Sequence, residues 1–341
     1  LGLRLGEPTA ASLRGGGQAR AALEELERGG VPSGVLTPIE VLVARGGDPA
    51  AVASRLAGVG GVRTAVAPDD SSWRRGGALV SVLPADETST GAGRATVERV
   101  RDVTAELPGV QVGGSGALDI DATRALYGSF PVMLAVVALA TFVLLARAFR
   151  SLLLPAKAIA LNLLSIGTAY GVLVLVWQHG HGSSAIWGID ATGSIVPWVP
   201  LMTFAFLYGL SMDYEVFLLA RMREAYDASG STSRAVVDGL GRVGRLVTSA
   251  ALILFLAFAA LAGVPSVDVR IMATGLGAGI LLDATVLRAL LMPAVVVLFG
   301  RWNWWLPDWT ARLLRLEPSR PLPQRVGSAD PRATEGESID A

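Results

Sequence analysis

The chain has 341 residues, a formal net charge of zero and no cysteine. Without excess positive charge nothing indicates a nucleic-acid partner, and the lack of cysteine excludes disulfide bonds, thiolate metal sites and cysteine nucleophiles. Apolar residues, 52% of the total, are concentrated in one part of the sequence. Their distribution predicts a soluble domain over residues 1–125, a transmembrane domain over 126–315 and a disordered tail over 316–341.

The first domain alternates between strand and helix patterns from residue 39 to residue 113. The resulting order, βαββαβ, is that of a ferredoxin-like α+β unit. Its carboxylates are scattered and it contains no histidine, so we predict no enzyme. The glycines at 15–17 lack the strand and phosphate-loop context of a nucleotide site, and we predict a loop there. Strands are predicted over residues 39–44, 62–67, 78–83 and 110–112, and helices over 49–56 and 90–107.

Five apolar runs in the second domain are long enough to cross the roughly 30 Å hydrocarbon core of a membrane as helices. Alternatively they are buried helices of a large soluble protein, but five such runs in series with so little charge favour membrane spans. Pro131 lies near the start of the first run, where a helix tolerates proline. The predicted spans are residues 130–148, 152–178, 196–219, 246–264 and 271–299.

The distribution of arginine predicts how the chain is oriented. Arginines follow the first, third and fifth spans, whereas the loop 179–194 contains neither lysine nor arginine, and the loop before the fifth span has only Arg270. By the positive-inside rule, the first domain lies outside the cytoplasm and the C terminus inside it. Tryptophans at the two interfaces agree with this orientation: Trp177, Trp187 and Trp198 outside, and Trp302, Trp304, Trp305 and Trp309 inside.

The chain begins at Leu1, with neither an initiating methionine nor a signal peptide. A domain outside the cytoplasm needs a preceding segment to carry it across, so we expect the natural sequence to continue upstream. His179 and His181 lie in the outer loop and could bind a metal ion. Two imidazoles in a glycine-rich loop are more often solvated, however, and we predict no metal site.

Four ionisable residues lie within the predicted spans: Asp213 and Glu215 in the third, and Asp283 and Arg288 in the fifth. An ionisable group near the centre of a membrane helix costs at least about 2.5 kcal/mol, so each must face protein, water or a partner charge. Such residues mark ion or proton pathways, although a structural ion pair between helices is the alternative. Lys157 is close enough to the inner end of its helix to snorkel, and no function is assigned to it.

Asp213 is followed by Tyr214, so a carboxylate that can gain and lose a proton stands beside a phenol that can donate or accept a hydrogen bond. Loss of the carboxylate charge changes which neighbours the helix prefers, and this couples proton passage to movement. Small residues in the same spans favour close packing of the helix backbones: Gly209, Ser211, Gly275, Gly277 and Gly279.

The pairing of the buried charges can be predicted from helix geometry. At 1.5 Å per residue, Arg288 lies about 25 Å along the fifth span, a depth comparable with that of Asp213 in the third. Asp283 and Arg288 are five positions apart, about 140° around an α-helix, so they should not pair with each other. A carboxylate on the third span is then the expected partner of Arg288, and Glu215 is favoured because it leaves Asp213 free to be protonated.

Residues 209–221, Gly-Leu-Ser-Met-Asp-Tyr-Glu-Val-Phe-Leu-Leu-Ala-Arg, closely resemble the signature of the second half of MmpL transporters of the RND superfamily. The resemblance covers roughly residues 1–315. It implies that each half has one helix, an outer porter domain and five further helices, of which this chain lacks the first helix. Further segments that carry it are 1–6, 148–155, 248–253, 282–285 and 300–307.

The resemblance implies a multi-pass transporter of the bacterial plasma membrane that exports lipids or other hydrophobic molecules and uses the proton gradient, with no cofactor. Asp213 would carry the proton and Tyr214 would hydrogen-bond in the relay, with Glu215, Asp283 and Arg288 as supporting charges. The implied partners are a lipid substrate, membrane lipids and a missing N-terminal half with a matching Asp–Tyr pair. Whether copies form a homo-oligomer stays open. Alternatives are a non-exporting RND relative (a protein-translocation motor or a sterol-sensing receptor) or an inactive truncated half.

Overall fold

The computed structural model describes residues 2–7, 9, 18–70, 73–74 and 76–313. The predicted glycine loop and the predicted tail lie outside the described residues.

A small four-stranded sheet forms the first part of the chain, in the predicted order βαββαβ. The strands lie in the order β2-β3-β1-β4, and every neighbouring pair is antiparallel. The predicted elements are present, with ends shifted by one or two residues. The elements are α1 (Gln18–Arg28), a 3-10 turn (Ser33–Leu36), β1 (Ile39–Ala44), α2 (Pro49–Ala57), β2 (Val62–Val66), β3 (Gly77–Pro84), α3 (Gly91–Ala105) and β4 (Val110–Gly113).

One face of this sheet is buried because β1 alternates apolar and exposed positions. Ile39, Val41 and Val43 point into a core that α2 and α3 cover with residues such as Leu56 and Val97. Both helices begin at capped ends, which fixes where they start. The side chain of residue 48 accepts hydrogen bonds from the first turn of α2, and that of residue 90 does the same for α3.

Five helices of the second part are long and apolar enough to cross a membrane, which confirms the predicted number of spans among the described residues. The fifth consists of two α-helical segments joined by a π-helix. The elements are α4 (Ser115–Phe149), α5 (Leu153–Leu173) with a π turn (Val174–Gln178), α6 (Ser183–Trp187), α7 (Trp198–Ser229), α8 (Thr232–Leu261), α9 (Val267–Leu282), the π-helix (Asp283–Leu291), α10 (Met292–Phe299), a 3-10 turn (Gly300–Trp304) and α11 (Asp308–Leu313).

Every predicted span except the second is exceeded by its helix at one end or both, because hydropathy detects only the part of a helix that lies in the membrane. Helix α4 begins sixteen residues before Pro131, which therefore lies inside the helix and not at its start. Helices α7 and α8 continue until they meet at Gly230, whose φ of 66° ends α7. The arginines that were predicted in a loop after the third span are therefore on the extended ends of these two helices.

The start of the chain is attached to the same end of the bundle as the loop 179–197. Leu5 forms a parallel bridge with Ile195. The side-chain amide of Gln178 donates to the carbonyl oxygen of Gly2 and accepts from the backbone N–H of Arg4, both at 2.8 Å. These contacts place the segment that precedes the sheet against the predicted outer end of α5.

Glycines in α9 let three helices approach closely. A Cβ on Gly279 would lie 2.5 Å from Cδ1 of Leu207 in α7 and 3.2 Å from Cβ of Ala169 in α5. A Cβ on Gly277 would meet only ordinary contacts, at 3.7 Å or more. The predicted close packing is therefore correct at Gly279, whereas Gly209 has open space around its Cα.

We predict that Gly279→Ala destabilises the bundle and that Gly277→Ala does not. Both changes remove the same backbone freedom from the unfolded chain, but only the first overpacks the interface, at a cost of about 1–3 kcal/mol. Thermal unfolding of the purified chain in detergent measures the difference. Equal melting temperatures for the two variants would contradict the packing described here.

Candidate functional site

The π-helix places two charges of the fifth span on one side of the helix. Arg288 Nη2 lies 2.9 Å from Asp283 Oδ2, and both side chains are largely buried. The prediction that these residues do not pair is wrong, because it assumed an α-helix throughout. In a π-helix the backbone hydrogen bonds join residues five positions apart, so residues 283 and 288 lie above one another.

Arg288 also attaches the π-helix to α7. Its Nη2 donates to the carbonyl oxygen of Ser211 and, at 2.9 Å, to the Ser211 hydroxyl group. The Ser211 hydroxyl donates in turn to Asp283 Oδ2, at 3.1 Å. We call these three residues the Arg288 network. Ser211 was noted in the sequence only as a small residue; the signal for its role was a hydroxyl group in the interior of an apolar span.

Glu215 is not the ion-pair partner that was predicted for Arg288. Its side chain is buried, and within the described residues it forms no hydrogen bond and no ion pair. It is nevertheless near enough to interact electrostatically with Arg288 and Asp283. The predicted partner was wrong because Asp283, on the same helix, already occupies the guanidinium group. The prediction that Arg288 lies at a depth comparable with that of Asp213 agrees with the structure, because Arg288 contacts α7 at residue 211, two positions before Asp213.

Asp213 points away from the Arg288 network. Its side chain is exposed on the surface of α7, and it has no hydrogen bond or ion pair with the residues that the structure describes. Tyr214 is half-buried between the two environments, and the guanidinium carbon of Arg288 lies 5.3 Å from the centroid of its ring. This is a cation–π distance. The residue next to the exposed carboxylate in the sequence thus contacts the buried cation through its aromatic ring.

A cavity of about 10 Å³ lies beside the network, lined by Ser211, Tyr214, Asp283 and Arg288 together with apolar residues of α7, α8 and α9. Arg288 Nη1 is buried and has no hydrogen-bond partner in the part of the chain that the structure describes. The volume is about the smallest that can hold one water molecule.

Lys157 is buried, which corrects the prediction that it snorkels to the interface. Its ammonium group donates to the carbonyl oxygen of Val295, at 3.2 Å, and to the side chain of Asn303. It also lies 3.8 Å from the centroid of the Phe299 ring. The lysine binds oxygen atoms at the end of the fifth span, and these hold it inside the bundle.

A further set of charges lies at the junction between the sheet and the bundle. Burial raises the pKa of Glu7, and the neighbouring carboxylates of Asp119 and Asp268 raise it further, while Arg94 acts in the opposite direction. Nearby, the rings of His179 and His181 are 6.2 Å apart. Within the described residues no group of three or more His, Cys, Asp or Glu side chains is arranged to hold a metal ion.

A bundle of membrane-length helices around a buried arginine network defines a multi-pass membrane protein with a polar centre. Intramembrane charges of this kind mark ion and substrate pathways in transport proteins. The chain belongs to the MMPL family: the family's sequence model matches residues 61–324. Its relatives include transport proteins of the MmpL type.

Similar proteins of mycobacteria include transporters with different names. The chain is 38% identical over 312 residues to the heme uptake protein MmpL11 of Mycobacterium tuberculosis, covering 85% of this chain and 31% of the relative. It is 37% identical over 273 residues to the mycolic acid-containing lipids exporter MmpL11 of Mycolicibacterium smegmatis (77% and 28%). It is 39% identical over 204 residues to the trehalose monomycolate exporter MmpL3 of M. tuberculosis (60% and 21%). The chain therefore spans less than a third of the length of these relatives.

We predict that Arg288→Met destabilises the protein by about 3–5 kcal/mol, because Asp283 would be left as an uncompensated buried charge. The control is Arg221→Met, which breaks an exposed pair with Glu224 on α7 and should cost less than about 1 kcal/mol. Unfolding in mixed micelles measures both. A variant at residue 288 as stable as the control would refute the structural role of the network.

Proposed function

We propose that the chain is the C-terminal half of a secondary transporter that is driven by the proton-motive force and exports lipids or other hydrophobic molecules across the bacterial plasma membrane. The observation that carries the proposal is the arrangement of charges in α7. Asp213, which is exposed and has no partner among the described residues, lies one residue from Tyr214, and Tyr214 contacts a buried and already paired Arg288.

The exposed carboxylate supports a partner half. A charged side chain on the lipid-facing surface of a membrane helix is costly, so such residues face protein or a water-filled cavity. Among the described residues Asp213 faces neither. We infer that a second half, with its own Asp–Tyr pair, covers this side of α7.

Proton passage would then use the side chains as follows. Asp213 gains a proton from one side of the membrane and loses it to the other, and Tyr214 exchanges hydrogen bonds with it. Because Asp283 and Ser211 hold Arg288, the arginine does not form a permanent bond with Asp213. Loss of the Asp213 charge changes which arrangement of the two halves is favoured, and this difference in free energy drives movement. Glu215, inside the bundle, supports the network electrostatically.

The sheet forms an outer porter domain over residues 1–125 in this proposal, with the transmembrane domain over 126–315. The element order βαββαβ and the antiparallel strand order β4-β1-β3-β2 support a ferredoxin-like unit. The positive-inside rule supports its position outside the cytoplasm. The relatives are transporters, and we propose no enzymatic activity for this chain.

The substrate class rests on the relatives. Two of them are named as exporters of mycolic acid-containing lipids and of trehalose monomycolate, which favours export of a lipid. The name of a third, a heme uptake protein, favours a second candidate, the uptake of a flat hydrophobic ligand. The same proton relay can drive either direction, so a transport assay with substrate on a chosen side separates the two.

We predict that Asp213→Asn abolishes proton-coupled transport, because the amide keeps the shape of the side chain and removes the group that titrates. The assay is movement of a labelled amphiphile in liposomes that contain this chain with its partner half and carry an imposed pH gradient. Asp227→Asn is the matched control: it lies on the same helix and is exposed, with an ion pair to Arg223. Near-normal transport by Asp213→Asn, with the protein still present in the membrane, would rule out the relay.

We predict that cysteines introduced at Ser184 and Ser233 label from opposite sides of the membrane. The chain contains no cysteine, and both positions are exposed. An impermeant thiol reagent added to intact cells should modify the cysteine at residue 184 and leave that at residue 233 unmodified until the cells are opened. Equal labelling in intact cells would overturn the proposed orientation.

A further inference from the structure

An apolar groove of about 470 Å³ lies at the end of the bundle where the first, third and fifth spans carry arginine. Leu152 and Leu153 at the start of α5 form one wall, and Phe299, Trp302 and Trp305 after α10 form the other. The two tryptophan side chains are more than half exposed, and their rings meet edge to face at 5.8 Å. The volume is within the range of about 300–1,000 Å³ that is typical of small-molecule sites.

The walls of this groove are held in place by hydrogen bonds. The side-chain amide of Asn303 donates to the carbonyl oxygens of Val296 and Gly300, and its backbone carbonyl accepts from the Ser151 hydroxyl group. The Ser151 oxygen also accepts the backbone N–H of Leu154. The turn that carries the tryptophans is thus fixed against the start of α5, so the groove is preformed.

A buried cation without a counter-charge lies behind the groove. The ammonium group of Lys157 lies over the ring of Phe299, and Phe299 is one of the residues that line the groove. Its hydrogen-bond acceptors are neutral oxygens, and among the described residues no carboxylate lies within ion-pair distance of it. A buried ion that lacks an opposite charge is destabilising unless another group supplies that charge.

Two arginines stand beside the lining residues in the sequence. Arg150 and Arg301 flank the two lining segments in the sequence, both side chains are exposed, and neither forms an ion pair within the described part of the chain. Residues 122–189 and 284–307, which contain the lining segments, include no Asp or Glu at all. The groove therefore combines an apolar interior with positive charge that nothing in these segments neutralises.

We propose that this groove is a binding site for an anionic phospholipid, with an acyl chain between the leucines and tryptophans and the phosphate between Arg150 and Arg301. Basic pockets between membrane helices at the cytoplasmic interface bind anionic headgroups, and tryptophan favours the same depth. A phosphate bound there also brings a negative charge to the region of the Phe299 ring that Lys157 contacts. The site lies away from the Arg288 network and does not depend on the proposed transport.

The test is a titration of the full chain in detergent with phosphatidylglycerol and phosphatidylcholine that carry brominated acyl chains, followed by tryptophan fluorescence. Bromine quenches a tryptophan that it contacts, so phosphatidylglycerol should quench saturably and at a lower concentration than phosphatidylcholine. Arg150→Gln with Arg301→Gln should weaken the phosphatidylglycerol response about 10- to 30-fold. Trp302→Phe with Trp305→Phe should remove the saturable part of the quenching.

The matched control is Arg242→Gln with Arg245→Gln, two exposed arginines of α8 on the same side of the membrane, which should change the response less than twofold. Glycerol phosphate, which lacks acyl chains, should not compete at millimolar concentration; if it does, the site binds free phosphate instead. Equal quenching by both lipids, or an equal loss in the control double variant, overturns the proposal. So does a loss of all lipid quenching when the partner half is added, since the groove is then an interface between the halves.

Discussion

A guanidinium group inside a membrane must have its charge and its N–H groups satisfied by protein, and this requirement decides the geometry of the centre of the bundle. Arg288 meets it with a carboxylate on its own helix and with a hydroxyl and a carbonyl group on α7. Because Asp283 is five residues away, an α-helix would separate the two charges. The π-helix brings them together, and the same contact fixes the fifth span against the third.

The pattern of apolar residues was sufficient to predict the sheet domain, from its alternation, and the number of membrane-length helices, from the length of the apolar runs. The alternation of Ile39, Val41 and Val43 is visible in the sequence, and so is the Asp48 cap. The pairing of Arg288 was not predictable by the same reasoning. The hydropathy of the fifth span is the same for an α-helix and a π-helix, and only tertiary contacts, above all the one with Ser211, select between them.

The side of α7 on which each carboxylate lies could not be predicted from the sequence either. Asp213 and Glu215 are two residues apart, so they point to nearly opposite sides of a helix, but no periodicity in α7 shows which of the two sides faces the bundle. In the structure the side chain of Glu215 is buried within the bundle, and that of Asp213 is exposed on the surface of α7. Lys157 was mispredicted for a similar reason. Its distance from the end of the helix is compatible with snorkelling, but a hydrogen bond to Asn303, which is distant in the sequence, holds the ammonium group inside the bundle.

The π-helix has a mechanical consequence for everything that follows it. A single turn of this kind contains one residue more than α-helical geometry would use, so converting it to α-helix turns the remaining segment by about 100° and lengthens it by about 1.5 Å. Helix α10 and the turn that ends at Trp304 are directly attached to it. The register of one short stretch in the middle of the membrane thus sets the angular position of the aromatic residues at its edge, about 20 Å away.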